Sequence, residues 1–355
     1  MRILLLGAKE YPFGSGSDLS GGMESYVQQL AEKLAGKNEV TLITRKFKCQ
    51  SAEEKKGKLK IIRVGWLNGT LLRNPSFNVS AFLKARQIAF DVVHAHGFVA
   101  TFFGSMLGRP LVATPHGVAA GQPQYGALNS LLRHLERKAY ERAASVVFLS
   151  ENEKEKFSEK LGFTPKNSKV IPTGIDIAKY AKAKPAHDLK LKKPVVTFIG
   201  RLIEVKGLKY LLEAMPGVNA TLLIVGDGPQ RKELEEKAGA NVVFAGWRKD
   251  VAEVLAASDV FVLPSLSEGL PVALLEAFAS GKPCIVTDIG LPVTDGKTAL
   301  VVKPKNAAAL AKALNKVLAD KSLAARLAKN AKAEAKKYDW GNVVREHEKL
   351  YNLLL

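Results

Sequence analysis

The chain has few of the residues that build several common kinds of protein. Its 355 residues include two cysteines, and Cys49 and Cys284 lie too far apart to suggest a disulfide framework or a metal knuckle, so reduced thiols are expected. No apolar run approaches the ~18 residues of a membrane-spanning helix. The short apolar run of the opening "MRILLLGAKEYPF" lacks the length and cleavage site of a secretory signal. It is expected to form a first buried strand, and the chain to work in the cytosol. No G-x-x-x-x-G-K-S/T phosphate loop, no G-x-S-x-G elbow and no Asp-x-Asp pair for a metal–diphosphate bridge occurs. Acidic residues are scarce: 34 against 53 basic ones, a net charge of +19. That surplus suits an anionic partner such as a phosphorylated substrate, lipid headgroups or nucleic acid, although lysine-rich surfaces also serve solubility or a hot habitat. Residues 1–174 hold 25 basic and 14 acidic side chains, so the bias is heavier in the first half.

What is present is a repeated alternation. Short β-rich runs ("RILLLG", "EVTLIT", "KIIRVG", "DVVHAHG", "PLVATPHG", "SVVFLS", "KVIPTG") are each followed by a helical pattern. After the lysine-rich residues 179–193 the rhythm restarts with "VVTFIGR", "ATLLIVGDG", "NVVFAG", "VFVLPS" and "PCIVTD". Such runs alternating with helices predict parallel strands covered on both faces, in two doubly wound α/β domains. A length of 355 residues is ample for two domains of ~150–180 residues each. The break is expected near residues 174–194, and the end of the chain reads as helices closing with "WGNVVREHEKLYNLLL". Ligands of parallel sheets bind at the carboxyl ends of strands. Gly22, His116, Gly174, Arg201 and the "SEGLP" loop fall at such positions, and two facing sheets would gather them at a cleft.

The stretch "SEGLPVALLEAFASG" carries two glutamates in apolar surroundings. A helix is predicted from about Pro271 to Ser280, its free amides near Leu270 to Ala273 offering an anion site. Glu268 precedes this end, and Glu276 lies ~7.5 Å further along the axis. Carboxylates suit sugar hydroxyls because they only accept, whereas a plain loop residue and a solvated helix residue are the bland alternative. In "FIGRLIEVKGLKYLLEAM", Arg201 and Lys206 follow a strand. Two cations at such a turn suit a diphosphate leaving group, whose charge grows as its bond breaks, or are ordinary surface charges. Gly21 and Gly22 let a backbone approach a ligand ahead of a helix, or simply cap it. His94 and His96 alternate in a strand with no carboxylate or cysteine cluster nearby, so no metal site is expected. His116 ends its strand and could hydrogen-bond a sugar or accept a proton.

In order along the chain, "GGMES", "DVVHAHG", "TPHG", "IPTGID", "GRLIEVKGLKYLLEA", "LLIVGDGP" and "SLSEGLPVALLEAFASGKPCIVTD" resemble the retaining family 4 glycosyltransferases. The resemblance runs through nearly the whole chain. It implies the α/β GT-B fold, two facing Rossmann-like doubly wound domains with an interdomain cleft and a C-terminal helix crossing back to the first domain. The implied division is 1–174 plus 340–355 for the acceptor and 175–339 for the nucleotide-sugar donor. It also implies hexosyl transfer from a UDP- or GDP-sugar to an acceptor hydroxyl by front-face attack, with no metal and no cofactor. Arg201 and Lys206 would grip the diphosphate. Glu276 would hold the ribose, and Glu268 with Gly269, Leu270, Pro271 and Val272 the transferred sugar. Gly22, with Gly21 beside it, would approach the diphosphate, His116 would contact the sugar, and Gly246 and Trp247 would lie near the base. Two departures stand out: the loop after Asp288 is short and lacks a glutamate, and Thr173 replaces a common asparagine.

Two first-domain stretches mix charge and oil. One holds Arg73, Lys84 and Arg86 with Leu71, Leu72, Phe77 and Phe82; the other adds Arg133, Arg137, Lys138 and Arg142. This suits an anionic membrane surface and a sugar, lipid or lipid-linked acceptor, with the enzyme peripheral on the inner face of the cell membrane. Two rival readings are a 2-epimerase-type reaction on a UDP-sugar and a non-enzymatic nucleic-acid binder. The motif order disfavours the first. The second lacks a stacking platform or a recognised module, so no nucleic-acid partner is expected.

Overall fold

The computed structural model describes residues 1–13, 22–69, 72–120, 129–189 and 191–355. It divides into two compact units, Met1–Gly174 with Trp340–Leu355, and Ile175–Asp339. In the first unit the opening run "RILLL" becomes β1 (Arg2–Leu6), at the middle of an eight-stranded sheet. Its other strands are β2 (Glu39–Arg45), β3 (Glu53–Lys56), β4 (Leu59–Val64), β5 (Val92–His96), β6 (Leu111–Thr114), β7 (Ser145–Phe148) and β8 (Ser168–Val170), in the order β3-β4-β2-β1-β5-β6-β7-β8. Helices α1 (Gly22–Leu34), α2 (Arg73–Ala85), α3 (Phe98–Gly104), α4 (Asn129–Glu141) and α5 (Glu151–Leu161) cover it. Alternation along β1 explains the double cover. Ile3 and Leu5 pack with Val27 and Leu30 of α1, while Leu4 and Leu6 pack with Phe77 and Ala81 of α2.

The second unit carries six parallel strands, β9 (Val195–Ile199), β10 (Thr221–Val225), β11 (Val242–Gly246), β12 (Val260–Leu263), β13 (Cys284–Thr287) and β14 (Leu300–Val302). Their order is β11-β10-β9-β12-β13-β14. Around them lie α6 (Ile177–Lys182), α7 (Leu208–Ala214), α8 (Arg231–Lys237), α9 (Val251–Ala257), α10 (Val272–Ala279), α11 (Ala307–Ala319) and α12 (Lys321–Ala335). One core joins both faces of this sheet, and β9 and β10 are buried throughout. The doubly wound α/β reading holds for both units. One strand departs from it: β3, "EEKK", pairs antiparallel with β4. It has no apolar signature because it is an edge. Glu53 pairs with Lys60 at 2.8 Å and Glu54 with Arg63 at 2.6 Å, and such charge blunts further strand pairing.

The last helix, α13 (Trp340–Asn352), belongs to the first unit. Trp340 seats against Gly174, where a Cβ would lie 2.2 Å from the indole ring, and its Nε1–H donates to Gln29 Oε1 at 2.8 Å. Deeper along the helix a buried polar chain replaces plain oil. His347 Nδ1 meets the Val343 carbonyl at 2.9 Å and its Nε2 meets the Tyr26 hydroxyl at 3.3 Å. His94 lies between the Tyr351 and Thr114 hydroxyls at 2.7 and 2.8 Å. The carbonyl fixes the proton of His347 on Nδ1, so Nε2 accepts from Tyr26. No helix of the described residues is long and apolar enough to cross a membrane.

Truncating Trp340→Ala removes a large buried ring and is expected to destabilise the first unit by about 3–5 kcal/mol, read from the urea midpoint. Acid should do the same gradually. Burial pushes His347 from the ordinary 6.5 down to about 4, and lowers His94 well below that ordinary value. The unfolded chain therefore takes up protons first, so stability is full above about pH 6.5 and declines as pH falls toward 4. In His347→Gln the loss of stability between pH 7.5 and 5 should shrink by about 2 kcal/mol, measured by urea titrations at the two pH values.

Candidate active site

In the second unit the strand order reverses between β9 and β12. Such a reversal opens a crevice at the carboxyl ends of the strands. The loops that leave there, 200–207 and 264–271, are joined backbone to backbone. Leu266 donates its N–H to the Val205 carbonyl at 2.7 Å. Gly207 adopts a left-handed φ of 65°, and a Cβ on it would lie 2.1 Å from the Pro264 carbonyl oxygen, so only glycine lets the loops meet.

This contact brings together two of the expected residues. Lys206 closes a single 3-10 turn, Glu204–Lys206, and its Nζ lies 2.6 Å from Glu268 Oε1. The Ser265 hydroxyl donates to the same oxygen at 2.6 Å, and the Ser265 carbonyl accepts from the Thr287 hydroxyl of β13. Two strand ends thus meet at one carboxylate, and the end of a third, β13, holds the serine that reaches it. Arg201, expected beside Lys206, is exposed and has no ion pair or side-chain hydrogen bond among the described residues. The arrangement offers an uncommitted guanidinium and a tethered ammonium to an anion.

Helix α10 begins at Val272, with Pro271 as its cap residue, one residue later than expected. Pro271 has no N–H, so it shapes the entry without contributing a donor. Gly269 and Leu270 precede it in the loop, and the Val272 and Ala273 amides stand at the open end of the helix. Glu276, in the second turn, is half-buried and accepts from the Tyr180 hydroxyl of α6 at 2.5 Å. Burial pushes its carboxyl above the ordinary range, opposed by the Tyr180 bond and then by Lys179. Gly246 ends β11 with a left-handed φ of 66°, and its carbonyl accepts the Gly226 N–H at 2.7 Å. Trp247 is 58% exposed, an open aromatic face with Lys249 5.7 Å from its ring.

In the first unit the reversal lies between β1 and β5. There too a left-handed glycine, Gly7, sits where a Cβ would be 2.1 Å from a carbonyl, that of His96. A cavity of about 400 Å³ opens at this end. Met23, Phe98, Val99 and Leu132 supply apolar wall, and Lys9, Asn74, Asn78 and His116 supply polar groups. Lys9 Nζ stands 3.4 Å from Glu24. Asn78 Nδ2–H donates to the Asn74 carbonyl at 2.8 Å. His116 holds a left-handed φ of 55°, uncommon for a side chain with a Cβ, and its Nε2 is 3.1 Å from His96 Nδ1. Burial pushes His116 down to about 3, so it is neutral near pH 7. Two acids strap the following loop. Glu136 accepts from the Ala119 and Ala120 amides at 3.1 and 2.9 Å. Glu153 accepts from the Gly117 and Leu149 amides.

Gly22 starts α1 in the open, where a Cβ would meet nothing within 4 Å, so packing alone does not require glycine there. Gly21 and Leu71 lie outside the described residues. Phe77 turns into the core, and the exposed apolar side chains of this region are Leu72, Val79 and Leu83. Among the described residues no three or more histidine, cysteine or acidic side chains are grouped to hold a metal ion. Several residues of these sites carry weak sequence signals. Nothing in the local pattern around Tyr180, Lys9 and Asn78 marks them as site residues, whereas Glu136 occupies an apolar-stripe position with Leu132, Ala139 and Tyr140, a legible sign of a satisfied buried acid.

Comparison with known proteins fits this architecture. The family model "Glycosyltransferase Family 4" matches residues 20–179, and "Glycosyl transferases group 1" matches 193–320. The UDP-Gal:alpha-D-GlcNAc-diphosphoundecaprenol alpha-1,3-galactosyltransferase of Escherichia coli is 32% identical over 247 residues, 62% of this chain and 64% of that one. The N,N'-diacetylbacillosaminyl-diphospho-undecaprenol alpha-1,3-N-acetylgalactosaminyltransferase of Campylobacter jejuni is 31% identical over 243 residues, 63% of this chain and 64% of that one. The match thus spans just under two thirds of each relative's length. Among solved structures, the sucrose-phosphate synthase of Thermosynechococcus elongatus superposes with a TM-score of 0.83 at 24% identity, covering 99% of this chain and 98% of that one. The chain is a GT-B-fold relative of the group 1 and family 4 glycosyltransferases.

Proposed function

We propose that the protein transfers a hexosyl group, with retention and without a metal ion, from a UDP-sugar to a hydroxyl of a lipid-linked acceptor. The observation that carries this reading is the tethered Lys206–Glu268 pair beside the unpaired Arg201 at the strand reversal of the second unit. Arg201 and Lys206 take the donor diphosphate. Glu268, with the loop from Gly269 through Leu270 and Pro271 to Val272, takes the transferred sugar, and Glu276 the ribose. The open face of Trp247 beside Gly246 takes the base. His116, neutral near pH 7, takes a sugar hydroxyl, and Gly22 with Gly21 approaches the diphosphate.

In the reaction the bond between the anomeric carbon and the phosphate oxygen breaks, and the acceptor oxygen bonds to that carbon from the same face. The departing phosphate oxygen receives the acceptor's proton. Charge gathers on that oxygen in the transition state, where fixed cations in a dry site stabilise it more than in the ground state. UDP-Gal and a GlcNAc-diphosphoundecaprenol are the substrates that the name of the Escherichia coli relative specifies, and they guide the choice here. The cavity of the first unit suits the acceptor, since its apolar wall carries a few polar groups. Exposed Leu72, Val79 and Leu83 beside Lys84 and Arg86, on α2 or at its two caps, and Leu131 beside Arg133 on α4, suit a peripheral contact with anionic lipid.

Arg201→Ala and Lys206→Ala should each lower kcat by about 10²–10³, with the wild-type rate unchanged by EDTA. The assay is UDP release with a polyprenyl-diphosphate-linked sugar, and turnover abolished by the chelator would overturn the metal-free scheme. Flotation with anionic vesicles at low salt should recover the wild type and lose the Val79→Glu/Leu83→Glu variant. Equal recovery of both would remove the membrane contact from the reading.

A further inference from the structure

The Tyr180–Glu276 contact joins two helices of the second unit through one hydrogen bond of specific chemistry. Tyr180 lies on the short helix α6, whose start is capped by Asp176 through the Lys179 N–H at 3.1 Å. It is 8% exposed and belongs to the core of the unit. Its hydroxyl reaches across to α10 and donates to Glu276 Oε1 at 2.5 Å. The residues flanking Glu276, Leu275 and Ala277, are buried. Glu276 makes no ion pair, and its second oxygen has no hydrogen-bond partner among the described residues. One carboxylate oxygen is therefore held by a neutral donor and the other is left open.

We propose that Tyr180 is a positioning residue for nucleotide recognition: it fixes Glu276 Oε1 so that Oε2 is presented more directly to one ribose hydroxyl than to the other. This deepens the reading of Glu276 given above and rests on it. A carboxylate pinned through one oxygen keeps one orientation, and its remaining acceptor sites, most of them on Oε2, face the two vicinal hydroxyls of a ribose from unequal directions. The 2′- and 3′-hydroxyls then contribute unequally. The phenol remains a donor, because burial and the neighbouring Glu276 both oppose its ionisation. Its hydrogen bond also favours the ionised form of a carboxyl that burial disfavours. The charged groups around the pair are Lys179 and Asp176 at α6 and Glu253 on α9; Lys179 favours ionisation of Glu276, while both acids oppose ionisation of Tyr180.

The test measures binding of UDP, 2′-deoxy-UDP and 3′-deoxy-UDP to the full chain by calorimetry, in wild type, Tyr180→Phe and Glu276→Gln. Phe keeps the ring and removes only the hydroxyl. In the wild type one of the two deoxy analogues is expected to bind at least about ten-fold more weakly than UDP, the worth of a hydrogen bond to a charged group. In Tyr180→Phe that discrimination should fall several-fold, and the acid limb of UDP binding should move to higher pH because Glu276 loses the bond that favours its charge. A fold-maintaining role alone would shift neither the analogue ratio nor the pH limb. Unchanged discrimination and an unchanged pH limb in Tyr180→Phe, with discrimination lost in Glu276→Gln, would overturn the role of Tyr180 and leave Glu276 as the ribose group. Discrimination retained in Glu276→Gln, or no UDP binding by the wild type, would overturn both.

Discussion

A lysine ammonium 2.6 Å from a glutamate carboxylate, at the reversal between β9 and β12, is the constraint on which the second unit's site depends. The carboxylate is shared with a buried serine hydroxyl, and that serine's carbonyl is itself held from β13. Such a largely buried pair costs too much to desolvate to count as a large source of stability. Its value is positional. It sets the ammonium at one place on a flexible four-carbon stem, and it ties the loop before α10 to the loop before α7. Arg201 is under no such restraint, so one cation is fixed and the other can adjust to an incoming anion.

Both units make room for their loops by the same steric device. Gly7, Gly207 and Gly226 all have left-handed backbones, and a Cβ on any of them would lie 2.0–2.1 Å from a carbonyl oxygen at or just past the end of a neighbouring strand. Backbone touches backbone at the carboxyl ends of the central strands, leaving side chains to line the crevice. In the first unit the loop after His116 is then strapped by acids that accept amide protons. The left-handed backbone of His116 is sustained because Glu136 and Glu153 hold the amides of Gly117, Ala119 and Ala120 just after it.

Much of the fold was legible because burial on both faces writes continuous apolar runs, and those runs located nearly all the parallel strands. β3 was not legible, since an edge strand made of "EEKK" is indistinguishable from a charged loop until its antiparallel partner is known. Phe77 shows another limit: an aromatic residue beside basic ones reads as a surface motif, yet helical phase turns it into the core and leaves Val79 and Leu83 outside. At the site, Lys206 and Glu268 are separated by sixty-two positions in the chain, and no spacing rule foretells their contact. Tyr180 was invisible for a similar reason. Its ring obeys the apolar pattern of α6, while the hydroxyl that matters answers to a residue ninety-six positions away.

The distribution of buried acids explains how so basic a chain keeps cations available. Glu136 takes two amides, Glu153 takes two more, and Glu276 takes a phenol. Their primary partners are neutral donors, which offset desolvation without consuming a lysine or arginine. Had these carboxylates been satisfied by guanidinium groups, the same cores would have drawn several positive charges inward and fixed them there. Glu268, like Glu24 beside Lys9, is a contrasting case, an acid given a cation at the mouth of a crevice where that cation is to be positioned and not hidden. The surplus of +19 thus stays largely at the surface and at the loop ends, where an anionic ligand or a lipid headgroup can meet it.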